Sequence, residues 1–154
     1  MKLLVLNGPN LNLLGRREPD IYGSQSLDDI NRAIAQYVQT GYGERVTLQF
    51  FQTNHEGQLV DTIQNAPRAY AGIVYNPAAH THYSVALRDA IAAVPTPVVE
   101  VHLSDITTRE EFRRNSLMTD VCIGCFMGKG LRSYLEALDA LIAHLDALSD
   151  EEGS

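Results

Sequence analysis

Lysine is almost missing from this chain. Two of its 154 residues are Lys, and with ten Arg against 19 Asp and Glu the formal net charge is −7. That balance argues against non-specific binding to nucleic acid. Cysteine is equally scarce, with only Cys122 and Cys125. They lie in Asp120-Val-Cys-Ile-Gly-Cys-Phe126, which reads as a strand. Side chains three apart on a strand point to opposite faces. A redox couple would need to open a helix and zinc would need further ligands, so buried free thiols are expected. No apolar run reaches the roughly 20 residues that span a bilayer. The N-terminal apolar run breaks at Asn7-Gly-Pro-Asn10, too early for a secretory signal. No membrane partner is expected, and the expected location is cytoplasmic.

What remains is the composition of a globular domain, 45% hydrophobic and 20% charged. The length suits one core. Residues 1–148 are expected to form a single domain and 149–154 a disordered polar tail. Strand and helix alternate throughout. Strands are predicted at Lys2–Asn7, Val46–Gln52, Gly72–Asn76, Val98–Leu103 and Val121–Phe126. Helices are predicted from near Ser26 to Gly41, over Glu56–Gln64, His82–Ala93 and Leu131–Leu148, with a short helical turn around Arg109–Arg114. This order predicts an α/β domain with a doubly wound parallel sheet. Ligands in such sheets sit outside the carboxyl ends of the strands, where strand order reverses. The ends of strands one, three and four carry Asn7-Gly-Pro-Asn10, Asn76-Pro-Ala-Ala-His-Thr-His82 and Glu100-Val-His-Leu-Ser104. All three place polar side chains where a core strand would stop.

The stretch after the first strand holds no phosphate loop. A dinucleotide fingerprint belongs there, but Pro9 and Asn10 occupy it. It offers instead side-chain amides, Arg16, Arg17 and Tyr22. An Arg close to a Tyr favours phenolate, and a phenolate is a base. Strand four carries the other half of an acid–base reading. Period two puts Glu100, His102 and Ser104 on one face. A carboxylate beside an imidazole favours the imidazolium and fixes its orientation. The Arg clusters, Arg16/Arg17 and Arg109/Arg113/Arg114, suit a planar anion such as a carboxylate. His80 and His82, two apart with no convincing third ligand, make a metal site improbable.

Taken together, the motifs resemble a known family. Gly8-Pro-Asn-Leu-Asn-Leu-Leu-Gly15 with the following Arg16-Arg-Glu-Pro19, Tyr22-Gly23, Phe50-Phe-Gln-Thr-Asn-His-Glu-Gly57, Asn76-Pro-Ala-Ala with His82, Glu100-Val-His-Leu-Ser104 and Arg109-Glu-Glu-Phe-Arg113 are similar to type II 3-dehydroquinate dehydratase, from Leu3 to about Leu138. The resemblance implies a flavodoxin-like fold, a five-stranded parallel sheet with helices on both faces. It implies anti elimination of water from 3-dehydroquinate to 3-dehydroshikimate through an enolate, without cofactor or metal, in a dodecamer built from trimers. Residue by residue, it implies Tyr22 as base, Arg17 as its activator and Asn10 as a stabiliser of the enolate. His102 would be the acid and Glu100 its partner. Asn76, His82 and Arg113 would contact substrate hydroxyls, Leu103 and Ser104 the substrate carboxylate, and Asp89 the site of a neighbouring subunit. A free Tyr titrates near ~10 and is about 0.1% phenolate at neutral pH. A close Arg shifts an acid by ~1–3 units, which covers much of that gap.

Some positions depart from the pattern: His80, Tyr83, Asp105, Thr107 and Ser133 stand where the family commonly has other residues. None is assigned to chemistry, but Tyr83 and Asp105 bear on affinity or subunit packing. Two other classes stay open at this point. One is a nucleotide-binding protein of the same fold, for which Gly128-Lys-Gly130 is the best support. The other is a non-catalytic module that kept the fold.

Overall fold

The computed structural model describes residues 1–16, 19–22 and 24–153, with Pro19 and Tyr22 described through their backbone alone. Five strands, β1 (Lys2–Asn7), β2 (Thr47–Gln52), β3 (Gly72–Asn76), β4 (Val98–His102) and β5 (Gly124–Met127), form one sheet in the order β2-β1-β3-β4-β5, and every pair is parallel. This is the flavodoxin-like order, and it reverses between β1 and β3. The helices are α1 (Pro19–Tyr22), α2 (Leu27–Tyr42), α3 (Glu56–Asn65), α4 (Val85–Ala93) and α5 (Leu131–Glu152). Among the described residues, no helix is long and apolar enough to cross a membrane.

Alternation along the strands builds two cores. Leu3 and Val5 of β1, with Val74, Val99 and Val101, pack beneath Ile30 and Ile34 of α2 and Leu138 and Leu141 of α5. Leu4, Leu6, Ile73, Tyr75 and Val98 face the opposite way, against Leu59 and Ile63 of α3 and Leu87 and Ile91 of α4. Both faces are therefore covered, and the central strands are apolar almost throughout. The exceptions are Glu100 and His102 of β4 and, at the carboxyl ends of β1 and β3, Asn7 and Asn76.

The boundaries follow local chemistry. Ser26 caps α2 in a reciprocal box with Asp29. Helix α4 begins at Val85, not His82, because the Ser84 hydroxyl accepts the Leu87 N–H and residues Ala78–His82 form a tighter 3-10 turn. Strand β5 starts at Gly124, later than expected. Val121 ends a 3-10 turn, and Val121 and Cys122 pack on the α4 side of the sheet. Cys122 and Cys125 are free and half-buried, and Cys125 lies on β5, an edge strand. The expected disordered tail 149–154 is instead helical through Glu152, because no Gly or Pro interrupts α5 before Gly153. Ser154 lies outside the described residues.

Candidate active site

The loops after β1, β3 and β4 meet at the carboxyl edge of the sheet. Asn7 and Asn76 are directly opposite in the β1–β3 register, and the Gly8 N–H donates to the Asn76 carbonyl at 2.8 Å. Two residues beyond, Asn10 takes a left-handed backbone with φ of 68°. Its N–H donates to the Asn54 side chain at 2.9 Å, while Gln52 donates to the Gly8 carbonyl at 3.1 Å. The end of β2 thus braces the β1 loop. After β3, the Asn76 carboxamide oxygen accepts the Ala78 N–H at 3.0 Å and turns the chain through Ala78, which is also left-handed.

Between these loops lies a cleft. Pro9, Asn10 and Leu11 line it from the β1 side, Asn76, Ala78, Ala79 and His82 from the β3 side, and His102, Leu103 and Ser104 from the end of β4. Ile106, Arg109 and Arg113 close the remaining wall. The Arg109 guanidinium donates to the Ser104 hydroxyl at 3.3 Å, and Arg113 pairs with Glu110 at 2.9 Å. The cationic lining suits an anion, since a guanidinium matches a carboxylate in geometry and charge.

Behind His102 sits Glu100, fully buried. The His102 Nε2 donates to Glu100 Oε2 at 2.6 Å. Thr81 and Ser116 donate to the same oxygen at 3.1 and 2.6 Å, and Thr119 donates to Oε1 at 2.6 Å. Burial alone would raise the pKa of this carboxyl. The hydrogen bond and charge of His102, with the Ser116 and Thr119 hydroxyls, outweigh it and hold the pKa down to about 2. Glu100 is therefore an ionised acceptor, and it fixes the imidazole in front of it. The Cys125 thiol, opposite Glu100 in the β4–β5 register, is pushed up to about 12 by burial and by the Glu100 charge, and it stays protonated.

His82 is set differently. Its Nδ1 bonds the Asn115 carbonyl at 2.8 Å. Its pKa is lowered, first by burial and then by the nearby His102, Arg113 and Arg109, against the opposing pull of that carbonyl. His82 is thus biased toward the neutral imidazole. Among the described residues, no group of three or more His, Cys, Asp or Glu is placed to hold a metal ion.

A model of the class II dehydroquinase family matches residues 1–142. The chain belongs to that family. A 3-dehydroquinate dehydratase of Geotalea daltonii is 54% identical over 145 residues, covering 94% of this chain and 99% of the relative. One from Bacillus pumilus is 49% identical, covering 95% and 97%. The crystal structure of the type II dehydroquinase of Butyrivibrio crossotus superposes with a TM-score of 0.87 at 45% identity, covering 92% of this chain and 97% of that one.

In this class II dehydroquinase chain, Asn10, Asn76, His82, His102, Leu103, Ser104 and Arg113 all line the one cleft, with Glu100 directly behind it. Asp89 does not join them. It is exposed on α4, which packs on α3. Arg17 and the side chain of Tyr22 lie outside the described residues. Sequence reasoning missed the hydroxyls of Thr81, Ser116 and Thr119, which lie 16 to 19 residues from Glu100 in the chain. It also missed the buried Tyr134, whose hydroxyl donates to Asn7 Oδ1 at 2.6 Å and accepts from Asn76 Nδ2 at 2.9 Å. The one available signal was the demand that a Glu inside a core strand must find partners.

Proposed function

We propose that the chain is a lyase that removes water from 3-dehydroquinate to give 3-dehydroshikimate. The observation that carries this reading is an ionised, buried Glu100 holding His102 at the floor of an Arg-lined cleft. Family membership and the relatives' names support it.

The elimination needs a base on one side and an acid on the other. In our reading Tyr22, activated by Arg17, removes the proton beside the ketone, and the charge moves to an enolate that Asn10 stabilises through water. His102 then gives its proton to the departing hydroxyl, completing an anti elimination. Leu103 and Ser104 hold the substrate carboxylate with help from the Arg109 side of the cleft. Asn76, His82 and Arg113 read the ring hydroxyls. The organic substrate supplies the electron sink in its own carbonyl, so the reading assigns no cofactor or metal. The enzyme would work in the cytoplasm, in the shikimate pathway or in quinate breakdown, as a dodecamer built from trimers in which Asp89 completes a neighbour's site.

The direct assay is the appearance of enone absorbance when 3-dehydroquinate is added to metal-free protein. Folded protein that produces none would sink the reading. Tyr22→Phe and His102→Ala should each lower kcat by roughly 10²–10⁴-fold, the usual worth of a positioned acid or base. Circular dichroism should be unchanged. Rates near wild type would remove these roles.

A further inference from the structure

The cleft has a hydrogen-bond polarity that two backbone groups dictate. The Ala78 N–H can only donate, and it donates to the Asn76 carboxamide oxygen. That orients Nδ2 of Asn76 toward Tyr134, whose hydroxyl must accept from it and pass its single proton to Asn7 Oδ1. Asn7, Asn76 and Tyr134 are all buried, so water does not substitute for any of them. Burial also pushes the Tyr134 pKa up, so the phenol keeps its proton. On the other wall, the Asn115 carbonyl can only accept. His82 Nδ1 must therefore carry the proton, and in the neutral ring Nε2 is left as an acceptor.

We propose that Tyr134 is a positioning residue that, together with the Ala78 N–H, holds Asn76 so that it offers the cleft its second N–H as a donor, opposite the Nε2 acceptor that the Asn115 carbonyl leaves on His82. Such a pair selects a hydroxyl. Only a hydroxyl can accept from the amide and donate to the imidazole, whereas a carbonyl or ether satisfies one partner and leaves the other bare. An asparagine amide is nearly symmetric in shape, so without the phenol only the Ala78 N–H distinguishes its two ends and nothing holds Nδ2 in place. Helix α5, remote from the cleft in sequence, thus acts on the ligand through Asn76. The identity of the ligand rests on the dehydratase reading, but the polarity does not.

Tyr134→Phe keeps the packing and removes the hydroxyl. Assayed on 3-dehydroquinate and on the two analogues that each lack one ring hydroxyl, it should raise KM for the parent by about tenfold or more with kcat little changed. For the analogue lacking the hydroxyl that Asn76 reads, the loss should be no more than about threefold. Equal losses on all three compounds would reduce Tyr134 to a structural role and overturn the proposal. A neutron structure of the free wild-type protein tests the polarity without any turnover. A deuteron on His82 Nδ1 with a bare Nε2, and the Asn76 amide nitrogen facing Tyr134, are expected. A deuteron on Nε2 alone, or a reversed Asn76 amide, would overturn it. Wild-type protein with that deuteron pattern but no turnover would refute the dehydratase reading and leave the polarity standing.

Discussion

At the residue scale, the Glu100–His102 pair ties the proposed catalysis and the stability to one ionised carboxylate. The folded-state pKa of Glu100 is depressed to about 2, below the ordinary carboxylate value. A depressed carboxylate contributes stability above its unfolded pKa and loses it as pH falls through the folded one. The window for Glu100 therefore runs from about pH 4.3 down to about pH 2. Glu100→Gln removes the titration but leaves the buried site filled. It should melt at a lower temperature than wild type at pH 7, and the difference should shrink as the pH is lowered through that window. A constant difference across the acid range would show that Glu100 is not ionised. The same variant should lose at least about tenfold in kcat, because an amide presents no fixed negative charge to His102. The pairing itself was legible in the strand, since residues two apart share a face. Its three hydroxyl donors were not. Thr81, Ser116 and Thr119 are ordinary hydroxyl residues until the fold brings them to one carboxylate.

At the element scale, the cleft exists because the loops after β1 and β3 touch. A Cβ on Gly8 would lie 2.6 Å from the Pro77 carbonyl oxygen and 2.9 Å from its carbon. These are backbone atoms, so neither can swing aside. Gly8→Ala must therefore push the two loops apart, at a cost of about 1–3 kcal/mol. It should also misplace Asn10 relative to Asn76 and His82. Thermal denaturation should show the loss of stability, and KM for the proposed substrate should rise. A variant with wild-type melting and kinetics would mean that the loops separate freely. Strand and helix order was legible because buried central strands are continuous apolar runs and Ser26 and the Gly41–Gly43 region punctuate α2. The β5 boundary was not. A short apolar run such as Val121–Cys122 looks alike whether it pairs in a sheet or packs beneath a helix, and only tertiary contact decides. The start of α4 escaped for a related reason: His82 carries no sign that it ends a 3-10 turn.

At the scale of the whole molecule, Asp89 gives the proposed assembly a sharp consequence. It is exposed on α4 and does not line the cleft of its own chain. Large apolar side chains are exposed nearby in sequence or beside the cleft wall, with Tyr83 62%, Val85 58% and Phe112 69% accessible. A dodecamer would weigh 12 × 17.0 kDa, about 204 kDa, which light scattering reads directly. If Asp89 serves a neighbour, then Asp89→Ala and His102→Ala damage different partners in a shared site. Each variant alone should be nearly inactive. Denatured together in equal amounts and refolded, they should regain activity. In a cyclic trimer each site takes His102 from one subunit and Asp89 from the next, so random mixing leaves about a quarter of sites with both intact. If Asp89 acted within its own chain, no mixed site would recover, and the refolded mixture would stay as inactive as its components. A recovery near one quarter of the wild-type rate therefore separates a site shared between subunits from one that each chain completes alone.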